Sequence, residues 1–528
     1  MSQDQILTIQ EASDWATKHF RRNISNSNIS YLIQYGQVRK AEKNGETGTY
    51  KSDLINYYKI QSDQEKKWKR QLGEDLNWHL SFANIKEKER TKHVHRLHPY
   101  KGKFIPQLVE YFLDNHTDNF KTEVFFSPGD IVLDPFCGSG TTLVQANELG
   151  IHAIGIDISE FNALISNVKI SKHSLLEIQE IINGITIKLK EFIDSTNVSN
   201  FENELLNELY QFNKKYFPSP DYRYKVRNNI ISDPARYANE KEKEFQPIFR
   251  DLIRKYKITT TQNNGNFKFI DSWYLSSVRN EIDFVNDLVE KIEDVEIQNV
   301  LRIILSRTAR SCRATTHVDL ATLKEPITSP YYCRKHYKIC KPLFSILSWW
   351  ERYSKDTIDR FYQFDMLRTQ TFQHCIVGDS RQINIFNEIK SFSPSFSEGL
   401  ERKKIKGIFS SPPYVGLIDY HEQHAYAYNL FNFQRRDESE IGPLFKGKGR
   451  AARDSYVEGI SQVLVNCLNY LVEDSDIFLV ANDRFQLYPQ IAERSTLKII
   501  NEFYRPVLNR TEKDKSAYSE KIFHMKRK

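Results

Sequence analysis

The sequence predicts an α/β protein: a doubly wound parallel sheet, broken by a large, mostly helical insertion and preceded by a small N-terminal unit. Three observations carry this expectation. Apolar strand-like runs alternate with helix-period segments between His95 and Lys172. The alternation stops over residues 175–370, which are charged, aromatic and helical in period. It resumes with strand-like runs at 374–377, 405–409, 477–481, 499–507 and 521–525. Interrupted alternation of this kind means one sheet with an insertion, not two enzymes in tandem. The expected divisions are 1–60, 61–93 (linker or solvent-facing helix), 94–174 (first part of the sheet), 175–370 (insertion) and 371–528 (second part).

Composition narrows the class. At 528 residues the chain exceeds one domain, and a 40% hydrophobic fraction supplies sizeable cores. No run reaches the roughly 18 apolar residues of a membrane span. The opening Met1-Ser-Gln-Asp-Gln-Ile6 lacks the basic and apolar regions of a signal peptide. Six scattered cysteines do not make a disulfide framework. The expectation is a soluble, cytoplasmic protein. The net charge of +7 is modest for this length. Its distribution says more: Arg302, Arg307, Arg310, Arg313, Lys324, Arg334, Lys335, Lys338 and Lys341 interleave with Tyr331, Tyr332, Tyr337, Trp349 and Trp350. Two readings stand side by side, a phosphate-contacting surface and a solvated helix with a buried aromatic side.

The N-terminal unit opens with Thr8 as an N-cap before a short amphipathic helix. A polar turn at 23–28, a second helix at 29–35 stopped by Gly36, a strand at 38–41, a glycine-containing turn at 44–48 and a helix at 52–58 complete it. This order resembles the MerR or excisionase type of winged helix-turn-helix. The resemblance implies a recognition helix near 26–35 and a wing near 38–50. A small helical cap on the rest of the protein is the other reading. Within the insertion, loops are expected at 217–223 and 259–266.

The first chemistry-bearing loop is Asp134-Pro-Phe-Cys-Gly-Ser-Gly-Thr-Thr142. It comes after a buried strand at 131–133 and opens a helix at 141–149. Gly138 and Gly140 remove Cβ atoms from a turn that a ligand must approach closely. A second strand at 151–156 ends in Asp157, 17 residues after Gly140, where a carboxylate is placed for two ribose hydroxyls. The loop is not Gly-x-Gly-x-x-Gly, because Leu143 takes the third position, and no Gly-Lys-Ser/Thr is present after it. The string resembles motif I of amino-methylating DNA methyltransferases, a type II family of bacterial restriction–modification systems with a Rossmann-like sheet. That resemblance implies S-adenosylmethionine as cofactor, held by Asp134, Phe136, Gly138, Gly140 and Asp157.

Neighbouring segments extend the resemblance. His95-Arg-Leu-His-Pro-Tyr-Lys-Gly-Lys-Phe-Ile-Pro106 is similar to motif X of that family, which implies that His98 and Lys103 close over the methionine end of the cofactor. Gly378-Asp379-Ser-Arg381, after a strand, resembles the loop that meets the adenine through Asp379. Ser411-Pro-Pro-Tyr414 comes after the strand at 405–409. Its two prolines fix φ and remove two N–H donors, so the loop offers carbonyls and the Ser411 hydroxyl to an incoming amine. Tyr414 is suited to stack on an extruded base.

The resemblance assigns Ser411, Pro412, Pro413 and Tyr414 to catalysis. Hydrogen bonds from an exocyclic amine to Ser411 and to the Pro412 carbonyl favour a pyramidal nitrogen, which attacks the sulfonium methyl in line. Ring C5 methylation needs a Pro-Cys nucleophile, and none of the 17 prolines precedes a cysteine. Ser-Pro-Pro-Tyr is the form usual among cytosine-N4 enzymes; adenine-N6 enzymes usually carry Asp or Asn first. The expectation is therefore cytosine-N4 methylation of duplex DNA, paired with a restriction endonuclease in a bacterial nucleoid. Adenine-N6 methylation, an RNA base methyltransferase and a DNA-binding regulator with a vestigial core stand as alternatives. Asp419 and His421 are candidates for the base pocket; a helix-start acid and a surface histidine explain them equally well.

The glycine loop and the proline loop are expected to meet at neighbouring strand ends, with Tyr414 facing the same cavity. Motif order places target recognition between Asp157 and the proline loop, yet the insertion here precedes Gly378-Asp379 rather than coming after it. Inside the insertion, Cys312, His317, Cys333, His336 and Cys340 are of metal-ligating type, but their spacing is irregular and no second tight pair supports it; packing, not metal, is expected.

Overall fold

The computed structural model describes residues 4–21, 23–73, 76–82, 85–260, 269–319, 323–507 and 518–528. The loop expected at 259–266 lies largely outside these residues. The chain forms two compact units. One comprises Leu72–Ile187, Phe284–Arg310 and Leu347–Lys528; the other comprises Met1–Gln71, Lys188–Asp283 and Ser311–Ile346.

The first unit is built on a seven-stranded sheet. Its strands are β1 (Ile131–Asp134), β2 (His152–Asp157), β3 (Gln373–Val377), β4 (Ile405–Ser410), β5 (Leu471–Ala481), β6 (Leu497–Pro506) and β7 (Ser519–Arg527). Across the sheet they run β6-β7-β5-β4-β1-β2-β3. The five from β5 to β3 are parallel, and β7 runs antiparallel between β5 and β6. This is a mixed α/β, mostly parallel sheet of the Rossmann-like kind the alternation predicts. β1 and β4 are buried almost throughout, which explains why they read as unbroken apolar runs. Helix α1 (Thr141–Glu148) comes after β1 and helix α2 (Glu160–Ile170) after β2. Ile131, Leu133, Ile154, Ile156, Ile408 and Ile477 form one continuous core with the helices of one face. The chain winds outward from β1 through β2 to β3, then returns beside β1 as β4. That reversal is a topological switch point, where parallel sheets bind ligands.

Placing β3 at the sheet edge, paired in register with β2 (Asp157 opposite Val377), resolves the motif order. The insertion sits between the second and third strands of the sheet, and Gly378-Asp379 still arrives beside Asp157.

The second unit contains the N-terminal segment and most of the insertion. Thr8 caps the helix Ile9–Phe20 through a reciprocal capping box with Glu11. Helix Asn26–Gln34 is next, and Gly36 ends it at φ +61°. A three-stranded antiparallel sheet of Ile6–Thr8, Glu46–Tyr50 and Lys40–Lys43 completes the segment. Two of those strands escape the sequence reading because each is too short to show period-two alternation. Of the stretch expected as a linker or a solvent-facing helix, residues 61–72 continue the helix Lys51–Leu72. In the insertion, helices Val198–Tyr216 and Pro234–Tyr256 pack through Phe201 and Phe249 around Phe344. A hairpin of Tyr331–Cys333 and Lys338–Cys340 adds a two-stranded sheet not foreseen from sequence. Arg223 joins the two parts of this unit, donating to Gln34 O (2.6 Å) and to His336 O (2.9 Å).

The basic stretch divides. Arg302 pairs with Glu290, Arg307 with Asp356, and Lys341 with Glu202, so these cations serve the fold. Arg334, Lys335 and Lys338 are exposed on the hairpin and have no ion pair among the described residues.

Ile408 is fully buried in the central strand β4. Ile408→Ala is expected to destabilise the protein by about 3 kcal/mol in urea unfolding monitored by circular dichroism, from lost transfer energy plus the cavity left behind.

Candidate active site

The C-terminal ends of the parallel strands deliver the polar side chains. Asp134 after β1, Asp157 after β2, Gly378-Asp379 after β3 and Ser411 after β4 all line one open cavity of about 870 Å³, open solvent at its mouth included. Gly138, Phe136, Lys103 and Pro413 line it too. The two loops singled out in the sequence therefore meet. What joins them is a bond that the sequence did not announce: the Ser410 hydroxyl donates to Asp134 Oδ1 at 2.5 Å, in a buried position. The Thr142 hydroxyl adds a longer contact to Phe409 O (3.4 Å).

The glycine loop is shaped by its protein neighbours. Gly138 (φ +54°) and Gly140 (φ +73°) both adopt left-handed backbone. A Cβ on Gly138 would lie 3.0 Å from the Tyr100 hydroxyl, and one on Gly140 would lie 2.9 Å from the Ser166 hydroxyl of α2. The loop is locked onto Asp157, whose Oδ2 accepts from Gly138 N (2.8 Å) while Oδ1 accepts from Ser159 N (2.9 Å) and Asn162 Nδ2 (3.1 Å). Oδ1 is thereby filled. One lone pair of Oδ2 is left for a ligand hydroxyl, where the sequence reading foresaw two equal acceptors. Asp379 is held by Arg381 at both oxygens.

Burial pushes the carboxyls of Asp134 and Asp157 up, each to about 6. Bonds from Ser410 and Thr142 to Asp134, and from Ser159, Asn162 and Gly138 to Asp157, pull in the opposite direction and keep the rise from being larger.

Three expectations are corrected. His98 does not line the cavity: it is fully buried, with its Nδ1 at Pro99 O (3.0 Å), its Nε2 at the Tyr426 hydroxyl (3.3 Å) and Phe161 and His424 against its ring. Tyr100, two residues on, takes the place at the wall, stacked with Tyr420. Asp419 and His421, expected at the base pocket, line neither this cavity nor the one that Tyr414 faces. Asp419 accepts from Phe445 N (3.0 Å), and the buried His421 pairs with Glu440, which itself reaches the cavity wall. Lys103 does line the cavity, with its ammonium on His95 O (2.6 Å).

The third correction concerns Tyr414. It faces a second cavity of about 630 Å³, shared with Tyr456, Tyr488, Phe485, Asn482 and Asp483. Its phenol donates to Glu520 Oε1 (3.0 Å), and Glu520 pairs with the buried Arg505 (3.2 Å), so the ring is drawn to that side. The Ser411 side chain interacts with the same phenol, so the loop touches both cavities. Asn482 and Asp483 come directly after β5 and went unnoticed in the sequence. The rule that found Asp134, Asp157 and Ser411, a polar residue at the end of a parallel strand, applies equally to them.

Comparison with known proteins decides the family. A DNA methylase family model (N6/N4 methylases) matches residues 5–168. The type II methyltransferase M.MjaII of Methanocaldococcus jannaschii is 46% identical over 525 residues, covering 99% of this chain and 97% of that protein. The chain belongs to the type II DNA methyltransferases of the amino-methylating family. The type II methyltransferase M.BsoBI of Geobacillus stearothermophilus is 26% identical over 272 residues, 47% of this chain and 51% of that protein. A tRNA (guanine(10)-N2)-dimethyltransferase of M. jannaschii is 35% identical over 141 residues, 27% of this chain and 32% of that protein. A close relative from M. jannaschii, an archaeon, leaves the expected bacterial setting unsupported. Family membership implies S-adenosylmethionine, which supplies an electrophilic methyl on a sulfonium. The first cavity fits such a group: it offers acidic acceptors for hydroxyl and amine donors and apolar walls in Phe136 and Ile156. No helix among the described residues is long and apolar enough to cross a membrane.

Acceptors for ligand donors must be ionised, so protonation of Asp134 and Asp157 opposes binding. S-adenosylmethionine affinity, measured by calorimetry, is expected to fall by at least about tenfold from pH 7 to pH 5, with a midpoint near 6. Ser410→Ala leaves Asp134 short of a charge-assisted bond and is expected to cost about 2 kcal/mol in unfolding free energy, measured by urea titration.

Proposed function

We propose that this methyltransferase transfers the methyl group of S-adenosylmethionine to the exocyclic N4 amine of a cytosine flipped out of duplex DNA, protecting host DNA beside a cognate restriction endonuclease. One observation carries the reading. Ser411 and Pro413 line the cavity of the glycine loop, while Tyr414 of the same loop lines an aromatic cavity next along it. A donor held in the first and a base held in the second would meet at the proline loop.

In this reading Asp157 and Asp379 hold the nucleoside part of the cofactor and Asp134 and Lys103 flank its other end, with Phe136 as an apolar wall. Tyr414, fixed by Glu520, stacks on the flipped base. The Ser411 hydroxyl and the Pro412 carbonyl accept the two amine protons. That would orient the nitrogen lone pair toward the methyl carbon; the N–C bond would form as the methyl–sulfur bond breaks, S-adenosylhomocysteine would leave as a neutral thioether, and one amine proton would pass to solvent. No covalent link between protein and base is needed. Alignment supplies the rate.

The cytosine assignment rests on serine, rather than aspartate or asparagine, as the first residue of the proline loop. The insertion (175–370) is read as the target-recognition part. Arg334, Lys335 and Lys338 are its candidate phosphate contacts. The N-terminal segment (1–60) is read as a helix-turn-helix contact to DNA, with the exposed Asn26, Ser27, Asn28 and Tyr31 of helix Asn26–Gln34 toward the groove.

The test is product analysis. Duplex DNA and tRNA are incubated separately with protein and S-adenosylmethionine, then digested to nucleosides for mass spectrometry. N4-methylcytosine from duplex DNA alone is expected. N6-methyladenine, methylation confined to tRNA, or absence of any methylated nucleoside would each overturn the assignment. Tyr414→Ala and Ser411→Ala are each expected to lower turnover by about 100-fold or more while leaving cofactor affinity within a factor of about two.

A further inference from the structure

Four side chains of the second unit converge with no part in methyl transfer. His317, Cys333, His336 and Cys340 each offer one ligand atom, and these atoms all lie within 4.8 Å of one another. Cys333 Sγ stands 3.6 Å from His317 Nδ1 and 3.5 Å from His336 Nδ1, and Cys340 Sγ stands 3.5 Å from that same His336 nitrogen. Zinc–sulfur bonds of about 2.3 Å and zinc–nitrogen bonds of about 2.0–2.1 Å in a tetrahedron put neighbouring sulfur and nitrogen about 3.5–3.6 Å apart. Thiol–imidazole hydrogen bonds have similar lengths, so length alone does not decide. Valence does. Each ring nitrogen has one site, yet His336 Nδ1 meets two sulfurs and His317 Nδ1 meets both Cys333 Sγ and the Tyr331 hydroxyl. Two-centre hydrogen bonds leave some of these contacts unfilled; a cation at their centre engages all four ligand atoms. The two cysteines are not joined as a disulfide.

The hairpin that carries three of these side chains is small. The hairpin has strands of only three residues, Tyr331–Cys333 and Lys338–Cys340, and its local core is Tyr331, Cys333 and Cys340 with Ile327 against them. A two-stranded hairpin this short is marginal without further support. Its turn is tight: His336 N and Tyr337 N both donate to Cys333 O (3.1 and 2.6 Å), and Tyr337 sits in left-handed backbone at φ +55°. A non-glycine residue keeps that conformation where its surroundings over-determine it. This turn brings Cys333 and His336 to one point.

We infer that His317, Cys333, His336 and Cys340 bind one zinc ion, and that the ion is structural. Four protein ligands close the coordination sphere and leave no position for substrate. Binding displaces the two thiol protons to solvent, and two thiolates with two neutral imidazoles make the cluster around the divalent ion electrically neutral. Tyr331, whose hydroxyl is 2.8 Å from His317 Nδ1, is the competing partner of that nitrogen, and it keeps the bond from His317 N (3.1 Å) when the metal binds. Cys312 lies outside the cluster. Through His336 O the metal-held turn braces Arg223, and through Arg223 the end of helix Asn26–Gln34.

The full chain, purified without a histidine tag or chelator, is expected to carry one zinc per chain by plasma mass spectrometry. After zinc removal it is expected to take up cobalt with the visible bands of a tetrahedral ion and a thiolate-to-cobalt charge-transfer band. Cys312→Ser is expected to retain both signals and Cys340→Ser to lose them, with calorimetric affinity for S-adenosylmethionine unchanged in Cys312→Ser. The cobalt spectrum of the unaltered chain carries the test where Cys340→Ser does not fold. No zinc together with no cobalt charge-transfer band overturns the inference, as does metal kept by a folded Cys340→Ser protein or lost from Cys312→Ser.

Discussion

The hydrogen bond from Ser410 to Asp134 is the contact on which the site depends. The two residues are 276 positions apart in the chain, yet they end adjacent parallel strands. Register brings the strand ends level, with Leu133 opposite Ile408. The serine then ties the proline loop to the first residue of the glycine loop. Both partners are buried, so the bond is shielded from water and geometrically demanding. Asp134 has few other partners to compensate for its burial, and its raised pKa measures how weakly ionisation is tolerated there.

A similar economy governs the rest of the wall. Asp157 serves two tasks: it holds Gly138 and the start of α2, and it presents one remaining acceptor site to the cavity. Glycine at 138 answers to Tyr100 as much as to a ligand, while glycine at 140, which does not line the cavity, answers to Ser166. Residues that form the cofactor cavity are therefore also those that hold the strand ends together. Beyond the proline loop the character changes. Tyr414, Tyr456 and Tyr488 give the second cavity aromatic faces, and Tyr456 and Tyr488 join hydroxyls at 3.0 Å. An aromatic cavity with Asn482 and Asp483 at its edge has the chemistry of a planar, polar-rimmed ligand.

Much of this was legible in the sequence because the central strands of the sheet are buried on both faces. Unbroken apolar runs leave no competing assignment, so β1, β2 and β4 were read to within a residue or so of their bounds. β5 was read only over its buried second half; its start, with Glu473 and Asp474 exposed, carries no such run. The acids after β1 and β2 were legible because a polar residue ending a buried run has few places to go but the sheet's C-terminal edge. His98 was misplaced because a motif gives neighbours in sequence, while side-chain direction separates His98 from Tyr100. Asp419 follows its other reading, an acid at a helix start, and accepts from Phe445 N, whereas His421, expected in the pocket or at the surface, is buried against Glu440, 19 residues away. The convergence of His317, Cys333, His336 and Cys340 was not legible because His317 comes from a separate segment, and spacing shows only residues that share a turn.

By itself the sequence determined the class of the sheet, the identity of its loops and the type of chemistry they suit. These come from local rules: burial dictates apolar runs, and prolines and glycines dictate backbone. Tertiary structure alone decided that the proline loop serves two cavities rather than one. It also decided which carboxylate oxygens remain open and that four scattered sulfur- and nitrogen-bearing side chains converge. Those outcomes depend on distances between segments tens to hundreds of residues apart, and on competition among partners for each lone pair. Neither is written in any local stretch of chain.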